Sequence, residues 1–345
     1  MKVVAAIDSF KGSMTSMEAG NAVKKGILAA KPDAEVWLSP LADGGEGTVD
    51  ALIEGLGAEK IPVTVAGPLG EKVSCYYGFL EETKTAVMEM ASAAGITLVI
   101  KKDPLRASTY GVGEMIADAL KRGCKNFMIG IGGSATNDGG IGMLKALGFE
   151  FFDEDGNDVG EGAAALAKIA EIRTEKKNPL LSGAKFQIAC DVKNPLCGKQ
   201  GATYIFGPQK GVTEEQKEQV DEAMRHYADV TKESLDCDFA DCEGAGAAGG
   251  LGYAFLSYLA GELILGVELI LQATGLEEKM KNADVVVTGE GRLDAQTVMG
   301  KAPAGVAALA KKYNAKVIAF AGSVAPEAKV CNRAGIDAFF PIVRG

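Results

Sequence analysis

The sequence predicts an α/β protein: a wound, mostly parallel-sheet domain of the Rossmann or flavodoxin-like kind, formed by both chain ends, with a second α/β domain inserted between them. Three observations carry this expectation. At both ends of the 345-residue chain, near-continuous apolar runs such as Lys2–Ile7 and Val285–Val287 alternate with helical patterns, as strands buried on both faces of a parallel sheet require. These runs stop at Gly and polar residues, the places where open α/β sheets bind ligands. From about residue 60 to 90 the character changes to β-rich segments with Gly-containing turns at hairpin spacing. The expected boundaries are 1–60 with 260–345 for the wound domain and 61–259 for the insert.

The elements follow in order. A strand is expected at 2–8 and a helix at 15–30, with Thr15 and Ser16 as N-cap candidates and Pro32 beyond its end. A strand at 34–39, a helix at 46–55 and the β-rich stretch come next. A helix at 109–122 feeds a strand at 126–131. Then comes the run GIGGSATNDGG, residues 130–140, which packs five glycines into eleven positions. A short helix at 141–147, a polar turn, a strand at 185–190 and a charged helix at 213–234 follow. The segment EGAGAAGGLGYAF is a second glycine-dense loop. The apolar stretch 251–275 is broken by Glu262, Glu268 and several glycines, so it reads as buried helices turning near Ala260-Gly261 and not as a membrane span. The last third predicts a helix at 266–282, a strand at 284–288, a helix at 302–312 and strands at 316–320 and 338–343.

Bulk properties exclude several functions. The net charge of −10 argues against nucleic-acid and anionic-membrane partners, which need a basic footprint. Seven cysteines show no CxxC spacing, so free thiols in a reducing cytoplasm are expected. The N-terminal apolar run is short and meets Asp8; it reads as a strand and not as a signal peptide. A single histidine, His226, lies in an amphipathic, solvated helix. That removes a Ser-His-Asp triad and a histidine metal site. A general base is then Asp or Glu, and a metal is a hard cation held by oxygen, hence Mg²⁺.

Five strand ends carry loops of one chemical type: DSFKGS (Asp8–Ser13), ADGGEGT (Ala42–Thr48), the 130–140 loop, DVKNP (Asp191–Pro195) and TGEGRLDAQTVMGK (Thr288–Lys301). Taken singly, each has a plain structural reading. Asp43 serves as a helix cap, Lys11 as a solvated surface charge, and glycine with Asp or Asn as ordinary turn chemistry. Together, at strand C-termini, they point to one shared cleft. The 130–140 loop partly matches the dinucleotide pattern G-x-G-x-x-A, but TNDGG intervenes before the helix; no Walker loop is present. Carboxylates for Mg²⁺ and for a hydroxyl proton, glycine loops for phosphates, and Lys or Arg for spread negative charge are the recurring parts of phosphoryl transfer.

The segments AIDSFKGSMTSMEAG, PLADGGEGTVDAL, GIGGSATNDGGIGMLKALG, ACDVKNPLCG and VVVTGEGRLDAQTVMGKAP, in this order along the whole chain, resemble the bacterial-type (type I) glycerate kinase family. The resemblance implies ATP-dependent phosphorylation of D-glycerate with Mg²⁺, at O2 in preference to O3, in an interdomain cleft. It also implies small-molecule partners and permits an oligomer. Members of that family generally continue past the position of Gly345 by about another helix. By this resemblance, Lys11 with Asp8 and Ser9 faces the substrate carboxylate or the transferring phosphoryl, with Asp43 and Glu46 on the neighbouring loop. Asp191, ahead of Asn194, is the base or a Mg²⁺ ligand, and Asp138 is a second metal candidate. Arg292 clamps the carboxylate, with Glu290 and Asp294 orienting it. Gly132, Gly133, Ser134, Asn137 and Asp138 line the phosphate region. The competing expectations are an NAD-dependent dehydrogenase of a small hydroxy acid, from the partial dinucleotide pattern, and a non-catalytic nucleotide-binding protein.

Overall fold

The structure is a computed structural model that describes residues 1–10, 12–41 and 48–343. Lys11, Asp43 and Glu46, named above, lie outside the described residues. The chain divides into two compact units, Met1–Ala58 with Leu265–Gly345, and Glu59–Ile264.

The first unit opens with β1 (Lys2–Ile7), α1 (Ser16–Ala30), β2 (Glu35–Leu38) and α2 (Thr48–Leu56). Thr15 caps α1 through a reciprocal box. Its hydroxyl accepts from the Glu18 amide at 3.2 Å, and the Glu18 carboxylate accepts from the Thr15 amide at 2.8 Å.

The second unit holds β3 (Glu59–Ala66), β4 (Lys72–Leu80), β5 (Thr85–Glu89), α3 (Ala91–Ala94), α4 (Tyr110–Lys121) and β6 (Asn126–Gly130). It continues with α5 (Ile141–Ala146), β7 (Glu150–Phe152), α6 (Ala163–Leu166), β8 (Glu171–Arg173) and β9 (Lys185–Ala189). It closes with α7 (Ala202–Lys210), α8 (Lys217–Leu235), α9 (Leu251–Leu259) and β10 (Glu262–Ile264). The chain then returns to the first unit with α10 (Gly266–Ala273), α11 (Leu276–Met280), β11 (Val285–Leu293), α12 (Ala302–Lys312), β12 (Lys316–Val324), α13 (Val330–Arg333) and β13 (Ala338–Pro341).

In the first unit the strand order is β13-β12-β11-β1-β2, every pairing parallel. In the second the order is β10-β9-β6-β5-β4-β3; β5, β6, β9 and β10 run parallel, and β4 and β3 form an antiparallel arm. The α/β class with mostly parallel sheets is therefore as the sequence predicts. Buried aromatic side chains, among them Tyr77, Phe127, Phe151, Tyr227 and Phe255, fill the core of the second unit. Among the described residues no helix is long and apolar enough to cross a membrane.

Several elements depart from expectation for local reasons. The helix expected at 266–282 is two helices, broken at Gly275, whose φ of 57° is left-handed. The strands expected to stop at 288 and 320 run on to Leu293 and Val324, because the pairing between β11 and β12 continues through Arg292↔Ser323 to the end. Helix α7 and strand β10 were not foreseen. Gly207 and Pro208 in α7 read as breakers, and the three-residue β10 sits in an apolar run whose periodicity cannot separate strand from helix.

Candidate active site

In the second unit four parallel strands end at one edge, in register: Glu89 beside Gly130, and Gly130 and Ile264 on either side of Ala189. The loops after β6 and β9 therefore leave side by side. Asp191 is exposed just past β9. Asn194 is half-buried, and its amide donates to Gln200 O at 2.7 Å.

The 130–140 loop has two parts. Its tip, Gly132 and Gly133, is exposed, and from Ser134 onward it is buried. At the tip, Gly133 has φ +74°, whereas a Cβ on Gly132 would meet nothing within 4 Å. The buried part is organised around Asp138, which is 0% exposed. Its carboxylate accepts from the Thr109 amide and hydroxyl, both at 2.8 Å, from Gly140 N at 3.1 Å and from Gly142 N at 3.3 Å. Burial pushes its pKa up while these donors oppose the shift. The anion at the N-terminus of α5 is thus the protein's own carboxylate. These oxygens are engaged within the fold, and the helix N-terminus that a dinucleotide pyrophosphate would need already faces a carboxylate.

The neighbours of Asp138 are also fixed. Asn137 Nδ2 donates to Thr203 Oγ1 at 3.0 Å, and Lys210 Nζ donates to Thr136 O at 2.6 Å. Asn137 Oδ1 and Thr136 Oγ1 are buried without a partner among the described residues. Lys210 is 2% exposed, and burial lowers its pKa to about 7 against the opposing pull of Asp138. The second glycine-dense loop packs backbone to backbone on the first. Gly139 N donates to Gly249 O at 2.9 Å, and a Cβ on Gly249 would lie 2.1 Å from Thr136 O. Much of the glycine content here therefore serves close packing of loop on loop.

In the first unit Asp8 follows β1 directly, nearly buried, with its amide donating to Gly289 O at 2.9 Å; its own carboxylate accepts from the half-buried Ser9 amide at 2.7 Å. On β11, Thr288, Glu290 and Arg292 share one face by the period of two. Glu290 is 6% exposed and accepts from Thr297 Oγ1 at 2.6 Å, with Lys301 Nζ at 3.7 Å. Burial raises its pKa; Thr297 and Lys301 oppose that rise. Arg292 is mostly exposed, with Asp294 at 3.6 Å. Asp294 also accepts from Gln296 N at 2.9 Å. Of the two acids expected to orient Arg292, Asp294 stands beside it, while Glu290 is engaged by Thr297 and Lys301. Thr297, Lys301, Thr203 and Lys210 escaped the sequence reading. The last two sit on the unforeseen α7, and the visible signal for Lys301 was a Gly-Lys pair just ahead of a Pro-containing helix start.

Among the described residues no group of three or more His, Cys, Asp or Glu side chains could hold a metal ion. Mg²⁺ is commonly held by one or two carboxylates together with substrate phosphates and water. The exposed Asp191 carboxylate suits that donor set.

Comparison with known proteins gives one answer over the whole chain. The model of the glycerate kinase family matches residues 3–345. The glycerate kinase of Bacillus subtilis is 46% identical over 100% of this chain and 91% of its own length. The glycerate 2-kinase of Escherichia coli is 46% identical over 99% of this chain and 91% of its own. The crystal structure of a candidate glycerate kinase 2 from Salmonella typhimurium superposes with a TM-score of 0.93 at 44% identity, covering 99% of this chain and 90% of that one. With parallel strands ending in acidic and glycine-rich loops in both units, the chain belongs to the glycerate kinase family.

Proposed function

We propose that this protein transfers the γ-phosphoryl group of ATP to O2 of D-glycerate, giving 2-phosphoglycerate and ADP, with Mg²⁺. The observation that carries the reading is the likeness to glycerate kinases over the full chain, with a relative named glycerate 2-kinase at 46% identity. As the bond from glycerate O2 to the γ-phosphorus forms, the bond to the β-phosphate oxygen breaks, and the hydroxyl proton leaves to a carboxylate. Asp191 is that base: it is exposed at the end of β9, one strand over from the Gly132-Gly133 tip. The exposed backbone of Gly132 and Gly133 approaches phosphate oxygens without a side chain in the way. In the first unit the planar fork of Arg292 binds the glycerate carboxylate, and Asp8, Ser9 and Lys301 supply polar contacts to substrate. Mg²⁺, when bound, neutralises charge on the β- and γ-phosphates, and Asp191 and the phosphates are the groups that would hold it.

Release of ADP measured with D-glycerate, ATP and Mg²⁺, with the product identified by ³¹P NMR, tests the proposal. Glycerate-dependent ADP with 2-phosphoglycerate is expected. No glycerate dependence overturns the reaction, and 3-phosphoglycerate overturns the choice of oxygen. Reduced nicotinamide formed from glycerate and NAD without ATP would restore the dehydrogenase reading.

A further inference from the structure

Helix α7 touches both candidate loops of the second unit. Thr203, Gly207 and Lys210, spaced i, i+4 and i+7, are its buried stripe. The two ends of that stripe hold consecutive residues of the 130–140 loop. Thr203 Oγ1 accepts from Asn137 Nδ2 at 3.0 Å, and Lys210 Nζ donates to Thr136 O at 2.6 Å. Thr203 and Lys210 are about 10 Å apart along the axis at 1.5 Å per residue. Side chains on a helix lean toward its N-terminus, so Lys210 reaches back toward the level of Thr203. The lead-in to the helix holds the other loop: Ala202 N donates to Leu196 O at 3.0 Å, and Gln200 O accepts the Asn194 side chain at 2.7 Å. Gly246 completes the join, donating to Asn194 O at 2.9 Å.

A surface lysine would serve none of this. Lys210 is a fully buried amine whose aliphatic chain ends on one loop carbonyl, and an amine buried at that depth is costly unless it does something an apolar side chain cannot. Here it fixes the carbonyl of the residue between the exposed Gly132-Gly133 tip and the Asp138 cap.

We infer that α7 is a brace that sets the spacing between the Gly132-Gly133 tip and Asp191, with Lys210 and Thr203 as positioning residues for phosphoryl transfer. Neither touches substrate; each acts through Thr136 or Asn137. The inference rests on the kinase reading for its catalytic consequence and on geometry alone for the brace. A misplacement of about 1 Å between a bound phosphoryl group and its acceptor is enough to cost on the order of 10²-fold in rate.

The test uses Lys210→Met, which keeps the chain length without the donor, and Thr203→Val, which keeps the shape without the hydroxyl, with Thr203→Ser as the conservative control. Kinetics are expressed per folded molecule, and amide exchange is followed by mass spectrometry over peptides spanning 131–138 and 190–196. Lys210→Met and Thr203→Val are expected to lower kcat about 10- to 100-fold, with KM for ATP raised a few-fold, and to speed exchange in both peptides; Thr203→Ser restores both. Since Thr203 and Lys210 grip one loop, the double variant falls short of the product of the two single effects. Unchanged kcat per folded molecule, or faster exchange in 131–138 alone, overturns the brace. If Lys210→Met does not fold, Thr203→Val decides by the same two readouts. If the wild type shows no glycerate-dependent ADP, the kinase reading falls while the exchange data still decide the brace.

Discussion

The two units finish their parallel strands in opposite ways. In the second unit the strand-end loops are built into the protein: Asp138, Asn137 and Lys210 are buried and bonded, and two glycine-rich loops lie backbone on backbone. In the first, Arg292 and Asp294 stand partly in solvent at 3.6 Å, and Glu290 leans on one hydroxyl and a distant Lys301. The difference teaches that glycine-rich and charge-rich are not one signal. The glycine-rich loop carries its own carboxylate and is a buried, hydrogen-bonded wall with a small exposed tip. At the charge-rich strand end the Arg292 side chain is mostly exposed, which suits a ligand.

The largest effect should come from breaking the wall. Asp138→Ala leaves four donors facing a void and is expected to destabilise the protein by about 3–5 kcal/mol, as when one partner of a buried charged network is removed. Chemical denaturation measures it. A loss under about 1 kcal/mol would mean that the second unit is no more built-in than the first. Asp191→Asn, on the same edge, sharpens the contrast from the other side. It should lower kcat at least 10²-fold while moving stability by no more than about 0.5 kcal/mol, since Asp191 is exposed. Near-normal turnover would remove Asp191 from the chemistry, and kcat restored by added Mg²⁺ would strip it of the base role and leave it only the metal-holding one.

How much of this was legible beforehand follows the same division. The parallel strands β1, β6, β9, β11 and β12 were visible because a buried strand must be apolar along its length. Their charged or glycine-rich ends were visible as well. The use of those residues was not. Asp138 reads in sequence as one more acid in a polar loop, and only the fold brings Thr109, twenty-nine residues away, onto it. Lys210 follows Gly207 and Pro208, which argue against a helix, so its burial could not be read locally. Glycines 246 and 249 look like turn residues, and their close contacts are with loops far along the chain. Long-range packing decided each of these, and local pattern carries no record of it.

The buried lysine gives the next effect in size. Its folded pKa is about 7, below the ordinary lysine value of 10.5, because burial disfavours the charged form. Between those two values the unfolded chain binds more protons than the folded one, so stability should rise as pH goes from 7 toward 10. The slope from this group is at most about 1.4 kcal/mol per pH unit. Asp138 faces the amine and moderates the shift. Denaturation at pH 7, 8 and 9 should show the rise in the wild type and a flatter profile in Lys210→Met. Equal slopes in the two proteins would place the lysine's charge outside the stability of the second unit.

The smallest effect is the most diagnostic for the first unit. A pair at 3.6 Å whose arginine is mostly in solvent contributes little, about 0–0.5 kcal/mol, and salt screens it. Asp294→Asn should therefore leave stability almost unchanged, and adding salt to the wild type should do as little. If Arg292 is reserved for a carboxylate, the same variant should raise KM for glycerate a few-fold with kcat kept, because the arginine loses a neighbour that holds its orientation and none of its reacting groups. A stability loss above about 1 kcal/mol would show that Arg292 and Asp294 belong to a structural network like that of Asp138. The contrast between a built wall and an open, charged strand end would then fail at the point where it makes its weakest claim on energy and its strongest on binding.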